Sequence, residues 1–239
     1  MNPYIVFNGI ASADIGPDGL IIEQLPDEMK PARKFEENQT PGRDGNTVQD
    51  LGGYEGYKTS MKINCNGASL SDVYAWLDGE GWLTTSDDPQ FMRYVGFYEQ
   101  IKDSRFRAGA CYDSITIPIR VQPFKFQVEQ ERITLIAPDV FYGKGNQRAK
   151  PTLEIIGSGS INLMINGSTV LIEGLDGTIY LDCDTETPYT IGTDGTKRFA
   201  GRMITVIDDE WPYLNPAENT ISWTGNLSQA TIHPWWRWI

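Results

Sequence analysis

The amino-acid sequence predicts a mainly β protein of two domains, an N-terminal β-sheet domain with one helix and an extended arm, then a C-terminal antiparallel β-sandwich. Three observations predict it. Short apolar runs recur through the second half between glycine-containing connections, with no helical spacing among them. A single segment near residue 71 combines helix start and stop signals with an apolar stripe. The run Leu25–Gly45 holds three prolines and few apolar residues, which suits neither a compact helix nor a core strand.

Taken in order, residues 4–10 (YIVFNGI) and 19–25 (GLIIEQL) read as strands joined by the Gly-Pro-Asp-Gly turn at 16–19. The arm follows: LPDEMKPARKFEENQTPGRDG. Pro26, Pro31 and Pro41 each remove a backbone donor and push the preceding residue toward extended conformations. Leu25, Met29 and Phe35 are its only large apolar side chains, too few to stabilise it alone. It therefore reads as a segment lying along a neighbouring surface, such as another subunit, or as a surface loop.

Residues 57–65 alternate Lys58, Ser60 and Lys62 against Thr59, Met61 and Ile63, the pattern of a half-exposed strand. The predicted helix is Ser71–Asp78. Ser69 or Ser71 can cap it, Asp72 suits its positive end, and Gly79 can terminate it. Val73, Tyr74, Trp76 and Leu77 form a stripe read as core packing. Strands are expected at Trp82–Thr85, at Phe91–Ile101 and from Arg105 to about Val121. Asp87 and Asp88, next to Pro89, read as turn residues rather than catalytic or metal-binding ones. Pro123 in RVQPFKF (120–126) suits an edge strand or a strand end.

From about residue 134 the texture changes. Strands are expected at 153–156, 161–165, 169–173, 178–182, 202–207 and 219–223, with GSGS, NGS, GLDG and TDGT as hairpin connections. Residues 135–150 read as the linker, giving domains 1–134 and 135–239.

Composition excludes several classes. The apolar fraction of 40% supplies buried cores, and 22% charged residues is too few for a disordered chain. A net charge of −12 argues against gripping nucleic acid, which requires basic clusters over phosphates. Cys65, Cys111 and Cys183 lie far apart without a CxxC, so buried thiols are expected rather than a disulfide scaffold. The start MNPYIVFNGI lacks the basic and long apolar regions of a secretory signal, and no apolar run reaches the roughly 20 residues that span a bilayer. The Asn-x-Ser/Thr matches at Asn38, Asn166 and Asn226 therefore carry little meaning.

No chemistry is marked out. The one histidine, His233, excludes a histidine-based metal site. Asp182–Glu186 begins like a calcium loop, but Thr187 and Thr193 stand where the glycine and the closing glutamate are needed. Nucleophile-elbow, P-loop and dinucleotide patterns are absent, and no two of the many carboxylates are set apart as a glycosidase pair. No cofactor is expected. Five of the seven tryptophans follow residue 210, and the chain closes on TIHPWWRWI. Trp235, Trp236, Arg237 and Trp238 are candidates for a protein–protein contact, for a stacking platform for sugars or bases, or for closure of the sandwich core.

The order of these signals resembles the distal tail proteins of long-tailed, non-contractile phages. FNGI (7–10), Leu25-Pro26, the Pro-x-Arg of residues 31–33 and PGRDG (41–45) look like that family's N-terminal pattern. DDPQF (87–91), the Arg-rich hairpin around 105–109 and QPFKF (122–126) resemble its middle. NTISWTGNLSQATIHPWWRWI resembles its ending: an asparagine-anchored strand, a W-x-G-N turn and a Pro-x-Trp-Arg close. Trp235 departs from the pattern, standing where a basic residue is expected.

The resemblance implies a structural virion protein at the tail tip, made in the host cytoplasm, and not an enzyme. It implies six copies in a ring between the last tail-tube ring and the tail-associated, baseplate or receptor-binding protein. DNA would pass through the channel without specific binding, and no membrane is involved. The N-terminal domain would be a split-barrel belt and the C-terminal domain a galectin-like sandwich facing outward. Pro31, Arg33, Phe35, Pro41, Gly42, Arg43, Asp44 and Gly45 would then reach the adjacent subunit. The alternative is a carbohydrate-binding, lectin-like sandwich with Trp235, Trp236 or Trp238 as the platform for host cell-surface sugars. An inserted carbohydrate-binding domain, carried by some relatives, has no room in 239 residues.

Overall fold

A computed structural model of the chain describes residues 2–39, 41–42, 44–101, 114–207 and 209–239. The chain divides into two compact units, Met1–Val128 and Glu129–Trp238.

The first unit contains β1 (Ile5–Phe7), β2 (Ile10–Ala11), β3 (Ile21–Gln24), β4 (Arg33–Gln39), β5 (Asn46–Tyr54), β6 (Tyr57–Asn64), the helix α1 (Leu70–Trp76), β7 (Gly79–Thr85), β8 (Phe91–Phe97) and β9 (Ser114–Gln127). Seven of the strands form one antiparallel sheet in the order β2-β1-β7-β8-β9-β6-β3. Its core face follows period-two alternation: Ile115, Ile117, Ile119 and Val121 of β9 are buried with Met61, Ile63, Val95, Ile5 and Phe7. Val73, Trp76 and Leu77 join that same core. The helix has 7 residues, too few to persist unaided, so packing holds it. Ser69 caps it by accepting the Ser71 N–H at 3.2 Å.

The expected first strand breaks at Asn8-Gly9, both with positive φ (49° and 83°), as a two-residue I′ turn requires. Asn8 then binds the next strand. Its N–H donates to the Trp82 carbonyl at 3.0 Å, and its side-chain oxygen accepts the Trp82 N–H at 2.9 Å. β9 runs straight through Pro123. Pairing with β8 jumps there, from Val95↔Val121 to Arg93↔Lys125, and β6 has already ended opposite Val121. Proline thus sits in a bulge where its missing N–H costs no ladder bond. The expected strand start at Arg105, the Arg-rich hairpin around 105–109 and Cys111 lie outside the described residues.

The second unit contains β10 (Ile133–Leu135), β11 (Asp139–Tyr142), β12 (Thr152–Ile165), β13 (Ser168–Asp182), β14 (Thr187–Ile191), β15 (Lys197–Phe199), β16 (Ile204–Val206) and β17 (Glu218–His233). The order is β10-β17-β12-β13-β14-β15, with β11 also on β17 and β16 also on β13. NGS and TDGT make the hairpins expected of them, joining β12 to β13 and β14 to β15. GSGS and GLDG do not. They face each other inside the β12–β13 ladder, Gly157 opposite Gly177 and Gly159 opposite Leu175. The W-x-G-N sequence of β17 meets them, with Asn226 opposite Ser158. Three long strands therefore bend together at one glycine-rich line. Leu153 and Ile155 before the bend and Leu163 and Ile165 after it bury into one core, so the bent sheet closes on itself as a sandwich.

The border expected between residues 134 and 135 falls within β10, and the two units separate at 128/129. The linker expected at 135–150 also belongs to the second unit. β10 and β11 pair with β17, and Ala149 exchanges backbone bonds with Leu214 at 2.9 and 2.8 Å. Short edge strands interrupted by Pro138 and glycines look like linker composition.

Candidate assembly site

The arm Leu25–Gly45 is two different things. Residues 25–32 are docked on their own unit: Leu25 packs against the core, Pro31 is buried, and the Ala32 carbonyl accepts the Glu55 N–H at 2.8 Å. Residues from Arg33 onward are not a lone extended segment. They form β4, which pairs with β5 as a separate two-stranded sheet, in register Phe35↔Asp50, Glu37↔Val48 and Gln39↔Asn46. β5 (NTVQDLGGY) escaped the sequence reading because its polar residues and the Gly52-Gly53 pair look like loop. Both glycines have positive φ (72° and 76°), and the strand slips register against β4 between Arg33 and Phe35.

Among the described residues, every β4 and β5 side chain is exposed except Tyr54, which is half-buried. Phe35 (54%), Val48 (60%) and Leu51 (56%) face solvent. Pairing places Phe35 and Val48 on one face of the ribbon and Leu51 on the other. Pro41, Gly42, Asp44 and Gly45 lie at the tip, Gly42 and Gly45 with φ of 82° and 80°. Arg43 lies outside the described residues. An isolated two-stranded ribbon is marginally stable in water, and its edges are templates for another chain. The other edge strands here are short: 2 residues in β2, 4 in β3, 3 in β10, 4 in β11 and 3 in β15. β4 and β5 run 7 and 9 residues, each without a second strand partner among the described residues.

The ribbon's root is built with charge. Arg93 of β8 meets Glu28 at 2.6 Å, and Lys125 of β9 meets the same carboxylate at 3.4 Å and Asp88 at 3.0 Å. Burial alone would push the Glu28 carboxyl up, but the hydrogen bond and charge of Arg93, joined by Lys125, hold it below the usual carboxylate range. Burial pushes the Tyr57 phenol up, partly opposed by Arg93 and the Met29 backbone. On the ribbon itself, the Gly52 N–H and then Arg33 hold Asp50 low. Arg33 pairs with Asp50 at 3.1 Å and lies 5.4 Å from the Tyr54 ring centre. Tyr54 packs edge-on against Phe124 of β9.

The C-terminal candidates sit in the fold of the second unit. Trp236 is 3% exposed, which leaves it no free face for a sugar, and its indole N–H donates to Glu131 at 3.2 Å. Arg237 is buried with its guanidinium 2.7 Å from Asp184, and its carbonyl accepts the Asn146 N–H at 3.0 Å. Trp238 is half-buried against the same core. Trp235 is half-buried and holds φ at 49°, a conformation costly for a bulky residue, directly after Pro234. Asn219, at the start of β17, is fully buried with a complete set of partners. It accepts from the Asn215 N–H (2.6 Å) and the Asn166 amide (2.7 Å), and donates to the carbonyls of Asn215 and Ala217 (both 3.0 Å).

Asp184, in the calcium-like run, is the ion partner of Arg237, and Asp182 accepts the Asp184 and Thr185 N–H groups as a turn residue. Among the described residues, no trio of His, Cys, Asp or Glu is arranged to hold a metal ion. No described helix is long and apolar enough to cross a membrane.

No protein-family model and no curated protein matches the chain. A solved structure does: the Dit protein (gp 19.1) of SPP1, described as a paradigm of the hub adsorption apparatus in phages that infect Gram-positive bacteria. The likeness has a TM-score of 0.68 and covers 98% of this chain and 99% of that one at 13% identity, a likeness of fold.

Proposed function

We propose that this chain is a structural protein of a phage tail, a distal hub subunit whose copies close into a ring of six around a DNA-conducting channel. One observation carries the reading: the Arg33–Tyr54 ribbon exposes Phe35 and Val48 on one face and, among the described residues, leaves two long edges without strands. A second copy of the chain supplies what it lacks, namely apolar cover and an edge to pair with. The likeness to a hub adsorption protein over both full chains supports the same role.

On this reading the first unit builds the ring and its ribbon reaches the next subunit. The second unit is a galectin-like sandwich facing outward. The ring joins the tail tube to the tail-associated, baseplate or receptor-binding protein, and the protein resides in the virion at the tail tip. The net charge of −12 keeps passing DNA from adhering to the channel wall. The protein works by shape and contact, without catalysis or cofactor. Negative-stain imaging of the purified protein at tens of micromolar tests the proposal. Sixfold rings with a central pore are expected, and uniformly single particles would overturn it.

A further inference from the structure

We infer that Glu28 is a positioning residue, one that fixes the direction of the Arg33–Tyr54 ribbon on the first unit before any neighbour arrives. The inference rests on the ribbon's role in assembly for its purpose, but its geometry stands apart from that role. Glu28 lies in the docked stretch five residues ahead of the ribbon, between Pro26 and Pro31. Both prolines stiffen the path, so an anchor at Glu28 sets where Arg33 leaves the surface. Glu28 is exposed like Asp27, Met29 and Lys30 beside it, its side chain 55% open to solvent, and it differs from them in the two cations it meets.

The receiving site is built for a carboxylate. The Arg93 side chain is 15% exposed and that of Lys125 20%, so both cations are largely removed from water on the adjacent strands β8 and β9. The buried Nη2 of Arg93 lies 2.6 Å from the Glu28 carboxylate as an ion pair. Lys125 has Asp88 and the Phe91 ring, at 3.0 and 4.9 Å, as further partners, and Arg93 also bears on the Tyr57 phenol, so Glu28 is the carboxylate that the two cations share. Two largely buried cations facing one carboxylate favour holding Glu28 at this position, by less than a fully buried pair because Glu28 stays half exposed. The second support is aromatic. Tyr54, at the far end of the ribbon, packs on Phe124, one residue before Lys125 in the same strand. β8 and β9 thus hold both legs of the ribbon, and nothing described holds its tip. A rigid root presents the ribbon in one orientation, which lowers the ordering cost when a partner binds.

The test uses the full chain with nitroxide labels at Val48→Cys, on the ribbon, and Lys62→Cys, an exposed site on β6, with Cys111→Ser and the buried Cys65 and Cys183 left in place. Pulsed electron resonance on dilute monomer should give one narrow distance distribution. Glu28→Gln keeps the shape but removes the charge, and should broaden that distribution at least twofold. Glu36→Gln, the same charge change on the exposed ribbon, should leave it narrow. Without the labels, Glu28→Gln should raise the concentration of half-assembly about tenfold while circular dichroism stays unchanged. A broad distribution in the parent, or one unaltered by Glu28→Gln, would overturn the inference. If the parent never assembles at any concentration, the proposed ring function fails, and the distance measurement still decides the role of Glu28.

Discussion

Replacing Asn219 by alanine should cost the second unit about 3–4 kcal/mol, because four hydrogen bonds meet on one fully buried side chain. At about 1 kcal/mol net for each bond the loss sums to about 4, and relaxation of the freed 215–217 loop toward water returns part of it. The loss is concentrated because Asn166 shares the knot. Asn166 donates to Asn219 at 2.7 Å and to the Tyr213 carbonyl at 2.8 Å, and accepts the Thr220 N–H at 2.9 Å. Asn166→Ala should therefore be non-additive with Asn219→Ala, with a coupling of about 1 kcal/mol for the shared bond. Urea unfolding followed by tryptophan fluorescence measures both, since Trp211, Trp223, Trp235, Trp236 and Trp238 all lie in the second unit. A loss below about 1 kcal/mol for Asn219→Ala, or full additivity, would show that Asn219 does not anchor the strand.

The remaining predictions concern single groups. Gly225→Ala should destabilise by about 2 kcal/mol or more, since φ is 97° and a Cβ would lie 2.2 Å from the Ser160 carbonyl oxygen; a stability within 0.5 kcal/mol of the parent would contradict the shared bend. Burial, helped by the Arg132 charge and only partly opposed by Glu154, depresses the pKa of His233. As the sole histidine it should give a single imidazole NMR titration below the ordinary histidine value. Because its folded pKa is depressed, its contribution to stability is present above the unfolded pKa and is lost as pH falls through the folded one. Burial pushes the Cys183 thiol up, and Cys65 is buried too, so peptide mapping should find both unlabelled by thiol reagents until the chain unfolds.

Strand and helix placement was legible wherever periodicity and caps agree. The helix over Ser71–Asp78 differs from Leu70–Trp76 by one residue at its start and two at its end, β6 was readable from alternation, and the strand expected at Trp82–Thr85 begins three residues earlier, at Gly79. Glycine misled the reading where it stood inside strands. GSGS and GLDG carry turn composition, yet they bend a continuous ladder, a distinction that depends on the opposing strand and not on the local sequence. The same limit hid β5, whose residues gain strand geometry only by pairing with β4. Of the candidate site, Phe35 and the tip residues were marked by their scarcity of apolar neighbours. The root was not marked, because Glu28, Arg93 and Lys125 lie far apart in sequence and look like ordinary surface charges. At the C-terminus, burial of Trp236 and Arg237 follows from partners at Glu131 and Asp184 that no local pattern announces.

The most direct measurement is the mass in solution of the parent chain beside a Phe35→Asp, Val48→Asp double variant, read by light scattering up to high micromolar concentration. Both substitutions fall on the same exposed ribbon face and leave each unit's core untouched. The account predicts a six-subunit mass for the parent and a monomer with unchanged circular dichroism for the variant. A parent that stays monomeric throughout, or a variant that assembles as well as the parent, would contradict it.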